Sequence, residues 1–141
     1  MKLEQWVHDV ESGLAQLGRA LWDPDAKLEL KDEVALLSAH LADREAALER
    51  ARAEGESTAR RISDNEVAAA LLPTQVENSV RRKKTSQAFR QALELDRIRK
   101  TLAQDQANLP RLEQKCSNLE FFIHLLERRL SRLRQQLRAG N

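Results

Sequence analysis

The stretch Leu71–Phe89, "LLPTQVENSVRRKKTSQAF", decides the fold, because one apolar helical stripe runs into it and another runs out of it. Pro73 disfavours helical geometry at Leu72. Thr74-x-x-Glu77 then has the form of a capping box, with an apolar run following. These signals predict a turn over 73–77 between two long helices. Helices joined by so short a connection lie antiparallel. The same stretch raises a second question. Four consecutive cations, Arg81 to Lys84, fall in the first turns of the second helix, where they oppose the helix dipole at a typical cost of about 0.3–1 kcal/mol.

Upstream, Leu3, Val7, Val10, Leu14, Leu17 and Leu21 step by fours and threes, the stripe of an amphipathic helix over 1–22 whose face Trp6 and Trp22 widen. "WDPDAK" ends it, with Asp23 as an N-cap and Pro24 at the first position of the next helix. The stripe resumes at Leu30, Val34, Leu37, Leu41, Arg44, Leu48 and Ala51, then keeps its phase through Gly55, Thr58, Ile62, Asn65, Ala69 and Leu72. Its occupants become small or polar after Leu48. A continuous arm over 24–72 with a weakly packed outer half is expected, against the rival of a break at "EGEST".

Downstream, the second arm (78–138) carries Ala88, Leu95, Ile98, Leu102, Asp105 and Leu109 on its stripe. From Leu109 to Leu137 every a and d position is apolar across four heptads, a coiled-coil pattern. Pro110 should kink or split this arm. A turn at 73–77 makes positions summing to roughly 150 face each other, so Leu41 is expected near Leu109–Leu112, in a rod of some 75 to 90 Å at about 1.5 Å per residue. "LEFFIHLLERRL" presents Phe121, Phe122 and Leu125 beside the seam residues, wider than two helices need, so a third apolar surface should cover it, the N-terminal helix first and a second copy of the chain as the alternative. The predicted fold class is therefore all-α: a long antiparallel coiled-coil hairpin with the N-terminal helix packed as a third helix at its base. Trp6, Val10, Leu14, Leu17, Leu21, Phe121, Phe122 and Leu125 are the expected helix-packing and self-association residues.

Composition agrees. The 141 residues are 41% hydrophobic and 33% charged, with 4% aromatics and no tyrosine, which suits long helices rather than an α/β core. No run approaches the roughly 20 apolar residues of a membrane span, and "MKLEQWVHDVESG" does not read as a secretory signal. One cysteine excludes an intrachain disulfide framework. A cytoplasmic protein is expected, with peripheral attachment to a membrane as the second possibility. Residues 1–72 hold 9 Lys+Arg against 15 Asp+Glu, and residues 73–141 hold 15 against 7. That asymmetry favours one arm lying against the other.

Nothing in the sequence forms a catalytic constellation. His8, His40 and His124 are scattered, Cys116 sits at a core heptad position, and there is no Gly-rich phosphate loop, nucleophile elbow or Cys/His metal cluster. No enzyme, cofactor, metal or small-molecule substrate is expected. What remains is charge. Arg81, Arg82, Lys83, Lys84 and Arg90 form a basic tip with no acid between Asn78 and Leu93, and Arg128, Arg129, Arg132, Arg134 and Arg138 form a basic C-terminal face. The second suits a helix C-terminus. The first has no such local reason unless Asp64 and Glu66 pair with it.

The order of parts resembles the phage-shock-protein A family of bacterial membrane-remodelling proteins, in which a short amphipathic helix and an "EDP"-type junction precede a long hairpin. "LWDPDAKL" (Leu21–Leu28) stands at the junction and "ARRI" (Ala59–Ile62) in the first arm. The resemblance covers element order and these short stretches, without the family's later helices. It implies a membrane-surface protein using the first helix and the basic clusters. The leading expectation from the residues is different: a non-enzymatic interaction module, an adaptor, spacer or scaffold subunit with protein partners, as a homo-oligomer. An anionic membrane surface ranks second and electrostatic nucleic-acid binding third.

Overall fold

The computed structural model describes residues 3–9 and 24–140. Among them three stretches are helical: α1 (residues 3–9), α2 (Pro24–Arg81) and α3 (Thr85–Ala139). α2 and α3 pack antiparallel as a hairpin, as the two apolar stripes require. Pro24 opens α2 at the position where a missing N–H costs nothing. α2 then runs unbroken through Gly55, so "EGEST" is helical. The predicted packing residues Val10, Leu14, Leu17 and Leu21 lie outside the described residues, as do Trp22 and Asp23.

The turn is not at 73–77. α2 continues through Pro73 to Arg81, and Arg82, Lys83 and Lys84 make the connection. A proline inside a helix forfeits one backbone hydrogen bond and crowds the preceding turn, at about 3 kcal/mol. The seam beyond it outweighs that cost: Val76 is half-buried and Ser79 buried in the last turns before the connection, and Ala88 is buried in the first turn after it. Thr74 and Glu77, the supposed cap residues, are exposed mid-helix positions. Pro110 does not split α3 either. It is exposed, and the carbonyl it leaves without a donor belongs to Gln106, also exposed, where water can satisfy it.

Moving the turn moves the register. The cross-helix pairs Arg61–Asp105 and Arg44–Phe122 have residue numbers summing to 166, and Ser79–Gln91 to 170, instead of about 150. Leu41 accordingly packs against the cluster of Leu30, Leu37, Leu126, Leu130 and Leu133 rather than beside Leu109–Leu112.

The chain divides into two compact units. The first comprises Met1–Ala46 and Glu120–Asn141. Its core is Leu30, Leu37, Leu126, Leu130 and Leu133, with Trp6, Val34, Leu41 and Leu137 packed around them. Leu30, Leu126, Leu130 and Leu133 are fully buried, each contributing roughly 1.5–3 kcal/mol of apolar transfer. α1 supplies the expected third apolar surface. The Trp6 ring meets Phe122 edge-on, centroids 5.6 Å apart at 62°.

The second unit comprises Ala47–Leu119. Its buried residues are Leu48, Ala51, Thr58, Ser79, Ala88, Leu95, Asp105 and Leu119. Four of these eight are alanine or hydroxyl side chains and one is a carboxylate, so this seam is thin in apolar area, as the small and polar stripe after Leu48 implies. No helix among the described residues is long and apolar enough to cross a membrane.

Candidate functional site

The connection between α2 and α3 is built by backbone geometry first. The Lys83 N–H donates to the Val80 carbonyl at 3.0 Å, and the Lys84 N–H to the Ser79 carbonyl at 2.9 Å. This is a Schellman closure of α2, which needs a left-handed residue at its pivot. Lys83 is that residue, with φ of 57°. The Lys84 carbonyl then accepts the Ala88 N–H at 3.0 Å, which makes Lys84 the N-cap of α3.

Both positions carry the wrong residue for stability. The pivot favours glycine, because a Cβ crowds the carbonyl in the left-handed region at roughly 1–2 kcal/mol. The N-cap favours Ser, Thr, Asp or Asn, whose side-chain oxygens accept a free helix N–H, and lysine has no acceptor. Thr85 and Ser86 follow one and two positions too late to serve. The cations are therefore the turn itself rather than the first turns of α3.

All five predicted tip residues, Arg81, Arg82, Lys83, Lys84 and Arg90, are exposed. Among the described residues none of them makes an ion pair, and neither do Asp64 and Glu66. Val80 and Phe89, two residues before and five residues after the connection, are 61% and 64% exposed. The tip is thus a cationic surface with large apolar side chains beside it.

The basic C-terminal face holds together less well. Arg128, Arg132, Arg134 and Arg138 are exposed, but Arg129 is buried, its guanidinium carbon 5.2 Å from the Trp6 ring centroid. It is a packing residue that ties α1 to α3 through a cation–π contact. Arg44, exposed on α2, stacks over Phe122 of α3 with its guanidinium carbon 5.4 Å from the ring centroid. Arg134 and Arg138 line a shallow cleft of about 260 Å³ with Leu41, Glu127 and Leu130. Of the packing residues, Phe122 is half-buried against Trp6. Phe121 stays 50% exposed and, with the half-buried Leu125, faces a cleft of about 480 Å³ that Leu3, Val7 and His8 also line.

The cross-helix polar contacts in the second unit are not apparent from local sequence. Arg61 Nε and Nη2 donate to Asp105 Oδ2 and Oδ1, both at 3.2 Å, and Arg61 Nη2 also donates to Thr58 Oγ1 at 3.3 Å. The Asp105 side chain is only 9% exposed and that of Arg61 53%. Nearer the turn, the buried Ser79 hydroxyl donates to Gln91 Oε1 at 2.7 Å. The available signal was Thr58 and Asp105 standing on apolar stripes. Polar groups at such seam positions fix register and orientation. The hydrogen bonds that Arg61 donates to Asp105, and then the charge of that carboxylate, raise the Arg61 guanidinium above its ordinary value. Stability from a raised group is present below its unfolded value and lost only as pH climbs through the folded one, so the pair is intact throughout the neutral range.

Among the described residues no group of three or more His, Cys, Asp or Glu is placed to hold a metal ion. His8, His40 and His124 are each exposed, and Cys116 is a half-buried free thiol. Comparison with protein-family models, with curated proteins and with solved structures finds no match to this chain.

Proposed function

We propose that the chain is a non-enzymatic helical-hairpin interaction module whose docking end is the basic turn. The observation that carries this reading is the chemistry of the connection. Lysine occupies a left-handed pivot that wants glycine, and lysine again occupies an N-cap that wants a hydroxyl or carboxylate side chain. Departures from local rules that the fold does not compensate concentrate where a sequence serves binding. The five tip cations are moreover exposed and without ion pairs, so they are available to an acidic partner. Such a field steers encounter and sets its salt dependence.

The test is to replace Arg81, Arg82 and Lys84 by Gln and Lys83 by Gly in the full chain. Helicity and the unfolding midpoint should hold or rise, while retention on an immobilised acidic polymer such as poly-glutamate should drop to background. A variant that unfolds, or one that is retained as strongly as the original, refutes the reading.

A further inference from the structure

A surface of charge opposite to the basic turn is present in the chain itself. On α2, Leu28, Asp32 and Leu36 follow one another at four-residue steps, and Glu29 and Asp43 lie seven residues to either side of Leu36. At 3.6 residues per turn these five share one stripe. Leu28 and Leu36 are 60% and 59% exposed, the acids are exposed, and among the described residues Glu29, Asp32 and Asp43 make no ion pair. The cations of this segment point elsewhere. Lys27, Lys31 and Arg44 fall off the stripe by spacing, and Arg44 is engaged on Phe122.

The stripe is thus two exposed leucines among three carboxylates. The turn is two exposed apolar side chains, Val80 and Phe89, among five unpaired cations. The two surfaces match in both charge and apolar character.

We infer that the basic turn of one copy docks on the Leu28–Leu36 acidic stripe of a second copy. The inference rests on the turn being the docking end and names what it docks to. Because the two surfaces differ, each contact pairs a turn with a stripe: two copies that exchange both close a twofold dimer, and copies that join head to tail each offer a turn to one neighbour and a stripe to another. Head-to-tail contacts generate rings if they close and open chains if they do not. Binding is salt-sensitive, since the charges on both sides are solvent-exposed.

The experiment uses the full chain and two charge-reversed variants, with sedimentation velocity over a range of concentration and salt. Arg81→Glu, Arg82→Glu and Lys84→Glu together reverse the turn, leaving three acids against Lys83 and Arg90, and keep the Lys83 pivot. Asp32→Lys with Asp43→Lys reverses the stripe. Far-UV circular dichroism confirms that each stays helical; if either does not, Lys84→Gln or Asp32→Asn alone replaces it. The unaltered chain should grow in mass with concentration and dissociate at high salt. Each variant alone should associate at least about tenfold more weakly, since like charges now face each other. Mixing the two variants should restore association, because each reversed surface meets its complement.

A chain that is monomeric at all concentrations overturns the inference, as does association that neither reversal weakens. Retention on poly-glutamate separates the two levels. If the monomeric chain is retained and the turn-reversed variant is not, the docking end stands and self-recognition falls. If the turn-reversed variant is retained equally, both fall. Turn-dependent binding to anionic vesicles or to a duplex oligonucleotide by a strictly monomeric chain assigns the turn to those partners instead.

Discussion

Replacing Lys83 by Gly and Lys84 by Asp should stabilise the hairpin while weakening its docking. The magnitude follows from the turn geometry. Lys83 sits at φ 57°, where a residue with a Cβ is disfavoured by roughly 1–2 kcal/mol. Glycine removes that penalty but adds freedom to the unfolded chain, which returns about 0.4–1 kcal/mol. The net gain at this position is about 0.5–1 kcal/mol. Lys84 accepts the first α3 hydrogen bond without capping it. An Asp there contributes about 1 kcal/mol, helped by its charge at the positive end of the dipole. Together the two changes should add about 1.5–2 kcal/mol, or roughly 5–8 °C in Tm for a chain of this size. Urea and thermal unfolding followed by circular dichroism measure it, and poly-glutamate retention measured in parallel should weaken at least about tenfold. A double variant no more stable than the original would show that the two lysines support the fold, and the argument that they are kept for binding would be wrong.

Asp105→Leu should raise stability by about 1–3 kcal/mol, since the seam accepts an apolar side chain and the half-exposed Arg61 returns to water; a lower urea midpoint counts against it. Gly55→Ala should also stabilise, by about 0.5–1 kcal/mol, because an added Cβ meets nothing within 4 Å inside a continuous helix. A loss of helicity on that change would show that α2 needs glycine there. Leu133→Ala should cost about 2–5 kcal/mol, because its side chain is fully buried in the leucine cluster. A cost below 1 kcal/mol in denaturant titration would mean that the first unit repacks freely.

The hairpin was legible because two long stripes with a short connection admit one arrangement. The third-helix cover over Phe122 was legible because "LEFFIHLLERRL" is broader than a two-helix seam. The turn was misplaced because Pro73 and the Thr74–Glu77 box are strong local signals, while the continuing seam at Val76, Ser79 and Ala88 is made of small, half-polar residues. Local rules carry no information about how much burial a partner helix supplies. The Arg61–Asp105 contact depended on the register, and the register on the turn, so one displaced boundary hid it. The tip cations were placed inside α3, where the left-handed pivot and poor cap of the connection are invisible.

The distribution of burial has a kinetic consequence. The tightest packing joins Leu30 to Leu130 and Leu133, residues about a hundred positions apart, whereas the contacts near the turn, such as Ser79 with Gln91, join near neighbours through weak polar bonds. Closing a large loop first is entropically expensive, while pairing that spreads from the connection closes only short ones. Folding should therefore zip outward from the lysine turn, with Ser79–Gln91 and Arg61–Asp105 holding the strands of the zip in step before the leucines meet. On that order Leu133→Ala accelerates unfolding and leaves the refolding rate almost untouched, and a slowed refolding limb would contradict it. The polar seam then acts as a guide rail: its weak contacts form early enough to keep a leucine-rich base from locking one heptad out of place.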